Sequence, residues 1–135
     1  MDINLISALI GVLAGAAGYW VTIFWIQPIL RYRSICNRVH SDFIFFAQVI
    51  NADGLNEEMQ SLHRERILSN RKASAELSAA SLELPFWYAW WLRLRKLDPA
   101  KAAQHLIGYS NTREYDQAHK EKALISRLLG LPSET

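Results

Sequence analysis

Residues 3–30 read INLISALIGVLAGAAGYWVTIFWIQPIL, a stretch with no charged side chain between Asp2 and Arg31. No buried helix of a small soluble domain needs a run of that length. The hydrocarbon core of a bilayer is about 30 Å thick and takes about 20 apolar residues at about 1.5 Å each. Leu5 to Trp25 meets that requirement. The expected fold is therefore all-α: one N-terminal transmembrane helix, residues 1–30, and a small cytoplasmic helical bundle, residues 31–135. A cleaved signal peptide is the competing reading. It calls for a basic start, an apolar core of about 7–15 residues and a small-residue cleavage site. Here no base precedes the run, and Trp20, Phe24 and Trp25 fill its end.

The flanks orient the span. Arg31, Arg33 and Arg38 follow it, whereas Asp2 is the one charge before it. The positive-inside rule places the N-terminus outside and residues 31–135 in the cytoplasm. Tyr19, Trp20, Phe24 and Trp25 lie toward that end, where an aromatic belt meets the headgroups. Trp20, Trp25, Arg31 and Arg33 are thus the membrane-interface candidates. Pro28 is expected to kink the exit.

Inside the span, Ser7, Gly11, Gly15, Gly18 and Thr22 recur every three or four residues. At that spacing they form one stripe of small side chains along a helix. Gly11 and Gly15 make a GxxxG pair, and Ala14 and Gly18 a second small pair. Small residues let helix backbones approach closely, and in lipid that contact drives association. With one span per chain, the partner helix belongs to a second copy of the chain.

Beyond the span, helices are legible from apolar spacing and punctuation. Val39, Phe43, Phe46 and Ile50 continue a helical pattern through residue 52, and Asn51 to Gly54 reads as its stop. Asn56 with Glu57 and Glu58 starts the next helix, whose buried face is Leu55, Met59, Leu62, Leu77, Ala80 and Leu84. Its middle, Arg64 to Lys72, is polar enough to be exposed or locally broken. Pro85 ends it. Phe86, Trp87, Tyr88, Trp90 and Trp91 then crowd together, followed by Arg93, Arg95 and Lys96. They suit either an interfacial segment beside anionic lipid or the core of a small domain. Phe86, Trp87, Trp90 and Trp91 are also the candidate surface for a partner. Asp98 with Pro99 begins another helix, which stops near Gly108 to Asn111. Asn111 to Glu114 resembles a capping box, and the last helix ends at Gly130. No segment alternates as a strand does.

Chemistry is sparse. Cys36 is the single cysteine, which excludes an intrachain disulfide and any paired-cysteine metal site. His40, His63, His105 and His119 form no metal-ligand spacing, so neither a metal nor a cofactor is expected. The net charge of +2 gives no reason to expect DNA. Glu57 and Glu58 are adjacent and point to different helix faces. Arg113 and His119 match the loose Arg-x(4–6)-His pattern of HEPN-type ribonucleases, where the pair acts on phosphate and a 2′-hydroxyl. Arg33 and His40 match it too, so the pattern discriminates little. That family places a small polar residue after the Arg, where this chain has Glu114 and Ser34.

The glycine-rich span, the exit from Phe24 to Arg33 and the segment Leu106 to Asn111 resemble small bacterial single-pass membrane proteins with a helical cytoplasmic domain. The plan is similar to membrane effectors of anti-phage and CRISPR-associated systems. That resemblance implies an inner-membrane location and a homo-oligomer that permeabilises or depolarises the membrane in defence. It implies as partners the bilayer, copies of the chain, and a cytosolic signalling protein or RNA complex. Gly108 would then form the turn between the last two helices. Two alternatives stand beside it: a membrane-tethered module that recruits a cytosolic protein, and a membrane-anchored ribonuclease using Arg113 and His119.

Overall fold

The computed structural model describes residues 2–47 and 56–132. Among these residues the regular structure is entirely helical. We number the helices α1 (Ile3–Phe45), α2 (Glu57–Glu83), α3 (Phe86–Leu94), α4 (Pro99–Asn111) and α5 (Tyr115–Leu129). The stop expected at Asn51 to Gly54, together with Val49, Ile50 and Leu55, lies outside the described residues.

α1 runs continuously for 43 residues, about 65 Å at 1.5 Å per residue. Asp2 caps it, its carboxylate accepting from the Asn4 N–H at 3.3 Å. The two ends of this helix have opposite surroundings. From Ile3 to Val21 no residue is buried. From Tyr32 onward, Tyr32, Ile35, Cys36, Val39 and Phe43 are all buried. Pro28 sits between. A proline withholds the N–H that would serve the carbonyl four residues back, and its ring crowds that carbonyl. The helix passes through by opening one π turn over Thr22–Ile26, in which the Gln27 N–H reaches back to the Thr22 carbonyl. The Thr22 hydroxyl donates to the Gly18 carbonyl at 2.8 Å in the turn before.

Asn56 caps α2 by accepting from the Met59 N–H at 2.8 Å. The helix is unbroken from Arg64 to Lys72, and its middle is exposed at Arg64, Glu65, Leu68, Arg71 and Lys72, as one of the two expectations had it. One polar edge of the helix is buried nonetheless: His63, Arg66, Asn70 and Ser74. Their polar atoms grip the neighbouring helix: Arg66 donates to the Tyr109 carbonyl at 2.7 Å, and Ser74 donates to the Ala103 carbonyl at 2.6 Å. A buried polar group is tolerable once it is hydrogen-bonded. α2 thus packs along α4, α4 along α5, and the lower half of α1 along α2. Val39, Phe43, Leu77, Leu106, Tyr109 and Ile125 form the centre of one core. Phe43 meets Tyr109 edge-on at 5.0 Å.

Asp98 caps α4 as expected, accepting from the Lys101 N–H at 3.1 Å. Gly108 does not make the turn after it. It lies inside the helix, and a Cβ added there would meet nothing within 4 Å. The capping box is also absent. Asn111 is the last residue of α4 and accepts from Arg71 at 2.9 Å, while Glu114 precedes α5 with no side-chain cap. Asn111 is still helical in α4 and α5 starts only at Tyr115, so Asn111 is not placed to cap it. Gly130 does end α5, at φ 70, with the Leu131 N–H returning to the Ser126 carbonyl at 2.8 Å.

Candidate functional site

The aromatic and basic residues expected to act together meet where α1 enters the core. α3 is nine residues long and starts directly after Pro85. It is apolar on almost every side, yet only Leu92 is buried. Phe86 is 84% exposed and Trp90 61%; Trp87 and Trp91 are also exposed. The reading of this segment as domain core therefore fails, since a nine-residue helix docked along one side can bury only one stripe. Leu92 anchors it in the core, and a chain of ring contacts runs beside that anchor. Trp25 of α1 meets Trp87 at 6.0 Å, Trp87 meets Tyr88 at 5.9 Å, and Tyr88 meets both Tyr32 at 6.2 Å and Trp91 at 5.4 Å. Further up α1, Trp20 and Phe24 stack edge-on at 5.7 Å.

The basic residues divide into two kinds. Arg31 pairs with Glu83 and Arg38 with Glu76, which fastens α1 to α2. Arg33 and Arg95 have no carboxylate partner among the described residues. They line one pocket of about 400 Å³ with Tyr32, Cys36, Asn37, Tyr88 and Trp91. The Arg95 guanidinium lies 4.9 Å over the Trp91 ring. Burial pushes the Tyr32 phenol well above its usual range and the Cys36 thiol up to about 11, so both stay neutral at ordinary pH. Burial raises the Tyr88 phenol as well.

No family model, curated protein or solved structure matches this chain.

The stripe Ser7, Gly11, Gly15, Gly18 and Thr22 lies on the exposed part of α1. At about 100° per residue its members fall within about 80° of one another, because the π turn begins only at Thr22. Space beside Gly11, Gly15 and Gly18 is open, since an added Cβ meets nothing within 4 Å.

Arg113 and His119 are placed apart in role. His119 lines a second cleft, about 580 Å³, with His40, Lys122, Ser126 and Arg127; Arg113 is not among its walls. Both histidines of the two Arg-x(4–6)-His matches thus reach this cleft, and neither of the matching arginines does. Arg33 lines the pocket at the foot of α1 instead. His105 is engaged elsewhere, 2.9 Å from Glu121. Among the described residues no group of three or more His, Cys, Asp or Glu could hold a metal ion. Sequence reading missed the pockets because their walls come from distant segments: Tyr32 and Arg33 with Arg95, and His40 with His119. The cluster of bases after Trp91 was the available signal for Arg95.

Proposed function

We propose that this protein is a homo-oligomeric, single-span effector of the bacterial inner membrane, with its helical domain in the cytoplasm. The observation that carries the membrane part is the bare upper half of α1. One helix is long and apolar enough to cross a bilayer, and Ile3–Val21 buries nothing against the rest of the chain. An apolar surface of that extent is not left to water; a hydrocarbon layer covers it without unsatisfied backbone, because a helix bonds its own peptide groups. Arg31 and Arg33 then stand on the cytoplasmic side.

Self-association is supported by the open space along the small-residue stripe, where a second copy of α1 can come close. A bundle of such spans contains no charge. Any opening through it would be gated by dewetting, not by charge selection. The helical domain is the receiver, for a cytosolic signalling protein or an RNA complex. Induced expression is expected to dissipate the membrane potential, read with a potential-sensitive dye. Gly11→Leu with Gly15→Leu should remove both the effect and the assembly. If potential and assembly are unchanged by that pair, the stripe is not the contact.

A tethered recruitment module is the second reading, favoured by the exposed Phe86, Trp87, Trp90 and Trp91. It requires one cytosolic protein to co-purify and Trp90→Ala to release it, with no effect of expression on potential. The ribonuclease alternative would need Arg113 and His119 on one phosphate. The purified chain is expected to leave single-stranded RNA intact; cleavage that vanishes in an Arg113→Ala, His119→Ala variant would reinstate it.

A further inference from the structure

The pocket at the foot of α1 has a composition that packing alone does not require. Arg33 and Arg95 converge on it from two different elements. The neighbouring Arg31 and Arg38 are each neutralised by a glutamate, and these two are not. Arginine is the residue that holds phosphate oxygens by paired N–H groups in fixed geometry. The same pocket is lined by Tyr32, which is 3% exposed and whose hydroxyl has the Cys36 sulfur beside it but no nitrogen or oxygen partner. Sulfur is a weak hydrogen-bond partner, so a ligand oxygen that accepts from the hydroxyl is favoured. Asn37 adds an amide at the rim. Asp98 is the acid whose charge reaches Tyr32, and its carboxylate accepts from the Lys101 N–H.

Position narrows the ligand. The Tyr88 and Trp91 walls continue through Trp87 to Trp25 on α1. Arg33 lies two turns beyond Trp25, about 12 Å along the axis. Above it, Ala16, Ala17, Trp20, Val21, Phe24 and Trp25 line an apolar groove on α1. A phosphate site therefore sits below an apolar groove, with tryptophan between them. That order matches a lipid, head down and chain up.

We propose that this pocket binds the phosphate headgroup of an anionic phospholipid, with Arg33 and Arg95 on the phosphate oxygens, Tyr32 donating its hydroxyl, and an acyl chain along the Trp20–Trp25 groove. The inference rests on α1 lying in a membrane. It gives the domain a fixed seat against the inner leaflet, set by lipid identity.

The test uses the full chain, purified free of lipid in detergent micelles, with tryptophan fluorescence titrated by phosphatidylglycerol and by phosphatidylcholine. Phosphatidylglycerol is expected to bind at least about tenfold more tightly. Arg33→Gln with Arg95→Gln should remove that preference, and Tyr32→Phe should weaken it several-fold. Both arginines are exposed, so helicity by circular dichroism should stay at the parent value. Arg93→Gln with Lys96→Gln removes equal charge beside the pocket but not from its walls, and should leave the preference in place. Equal loss from both pairs would mean diffuse attraction and would overturn the site. Glycerol phosphate binding as tightly as the lipid would overturn the lipid assignment. A chain that stays soluble without detergent refutes the membrane reading itself; one that needs detergent yet binds both lipids alike refutes only the pocket.

Discussion

Arg66 and Cys36 carry the clearest residue-scale consequences. Arg66 is a cation at 0% exposure, bonded to the Tyr109 carbonyl and stacked at 4.5 Å over the Tyr109 ring. Its removal takes away a charge-assisted bond and leaves a cavity beside the Tyr109 carbonyl, which keeps only the longer bond from the Thr112 N–H at 3.4 Å. Arg66→Ala is expected to cost about 3 kcal/mol, read as a shift in denaturant midpoint of the full chain in micelles. Sequence alone put this residue on a polar, exposed stretch, because a guanidinium bonded to a backbone carbonyl leaves no trace in periodicity. Cys36 gives a pH signature. Burial raises its thiol from an ordinary 9.0 to about 11, so the folded chain holds the proton that the unfolded chain releases. The stability this supplies is complete below about pH 9 and declines as pH rises toward 11, by about 3 kcal/mol in all. Denaturant midpoints should fall between pH 9 and pH 10, and Cys36→Ala should flatten that slope. A parent chain with no fall in that window would place Cys36 in contact with water.

Helix ends were legible element by element where a side chain or a special backbone residue makes the stop. Asn56, Asp98 with Pro99, and Gly130 each do so locally, and each appears where the spacing put it. The failures share a cause. Asn111 is still helical in α4, with Arg71 of another helix bonded to it, and Gly108 had no positional demand on it. Neither fact is local. The aromatic helix α3 is the element whose placement depends most on one contact. Its single buried residue, Leu92, belongs to the core cluster, while the rest of its attachment is ring edges. Leu92→Ala is expected to cost about 2–4 kcal/mol and to free α3 before the rest unfolds. Tryptophan emission should then shift in a separate, earlier transition than helicity by circular dichroism. Coincident transitions would show that α3 is held by its rings as firmly as by Leu92.

At the scale of the whole molecule, α1 belongs to two environments. Residues from Tyr32 to Phe43 are as much a part of the core as any in α2, while those through Val21 touch none of it. The boundary near residue 30 was legible as a change in charge, and the structure gives it a packing meaning. Among the described residues, the ring contact from the apolar half to the rest is Trp25 with Trp87. One ring pair is worth about 1 kcal/mol, small against a domain's total of about 5–15 kcal/mol. A chain beginning at residue 27 should therefore keep its core. It should melt cooperatively, with a midpoint within a few degrees of the parent's, and need no detergent. The loss of Trp25 should also raise the exposure of Trp87, read as faster quenching by acrylamide. If the shortened chain instead melts without a cooperative transition, the upper half of α1 is part of the fold, and a helix that buries nothing of itself would have to be stabilising its neighbours through whatever covers it.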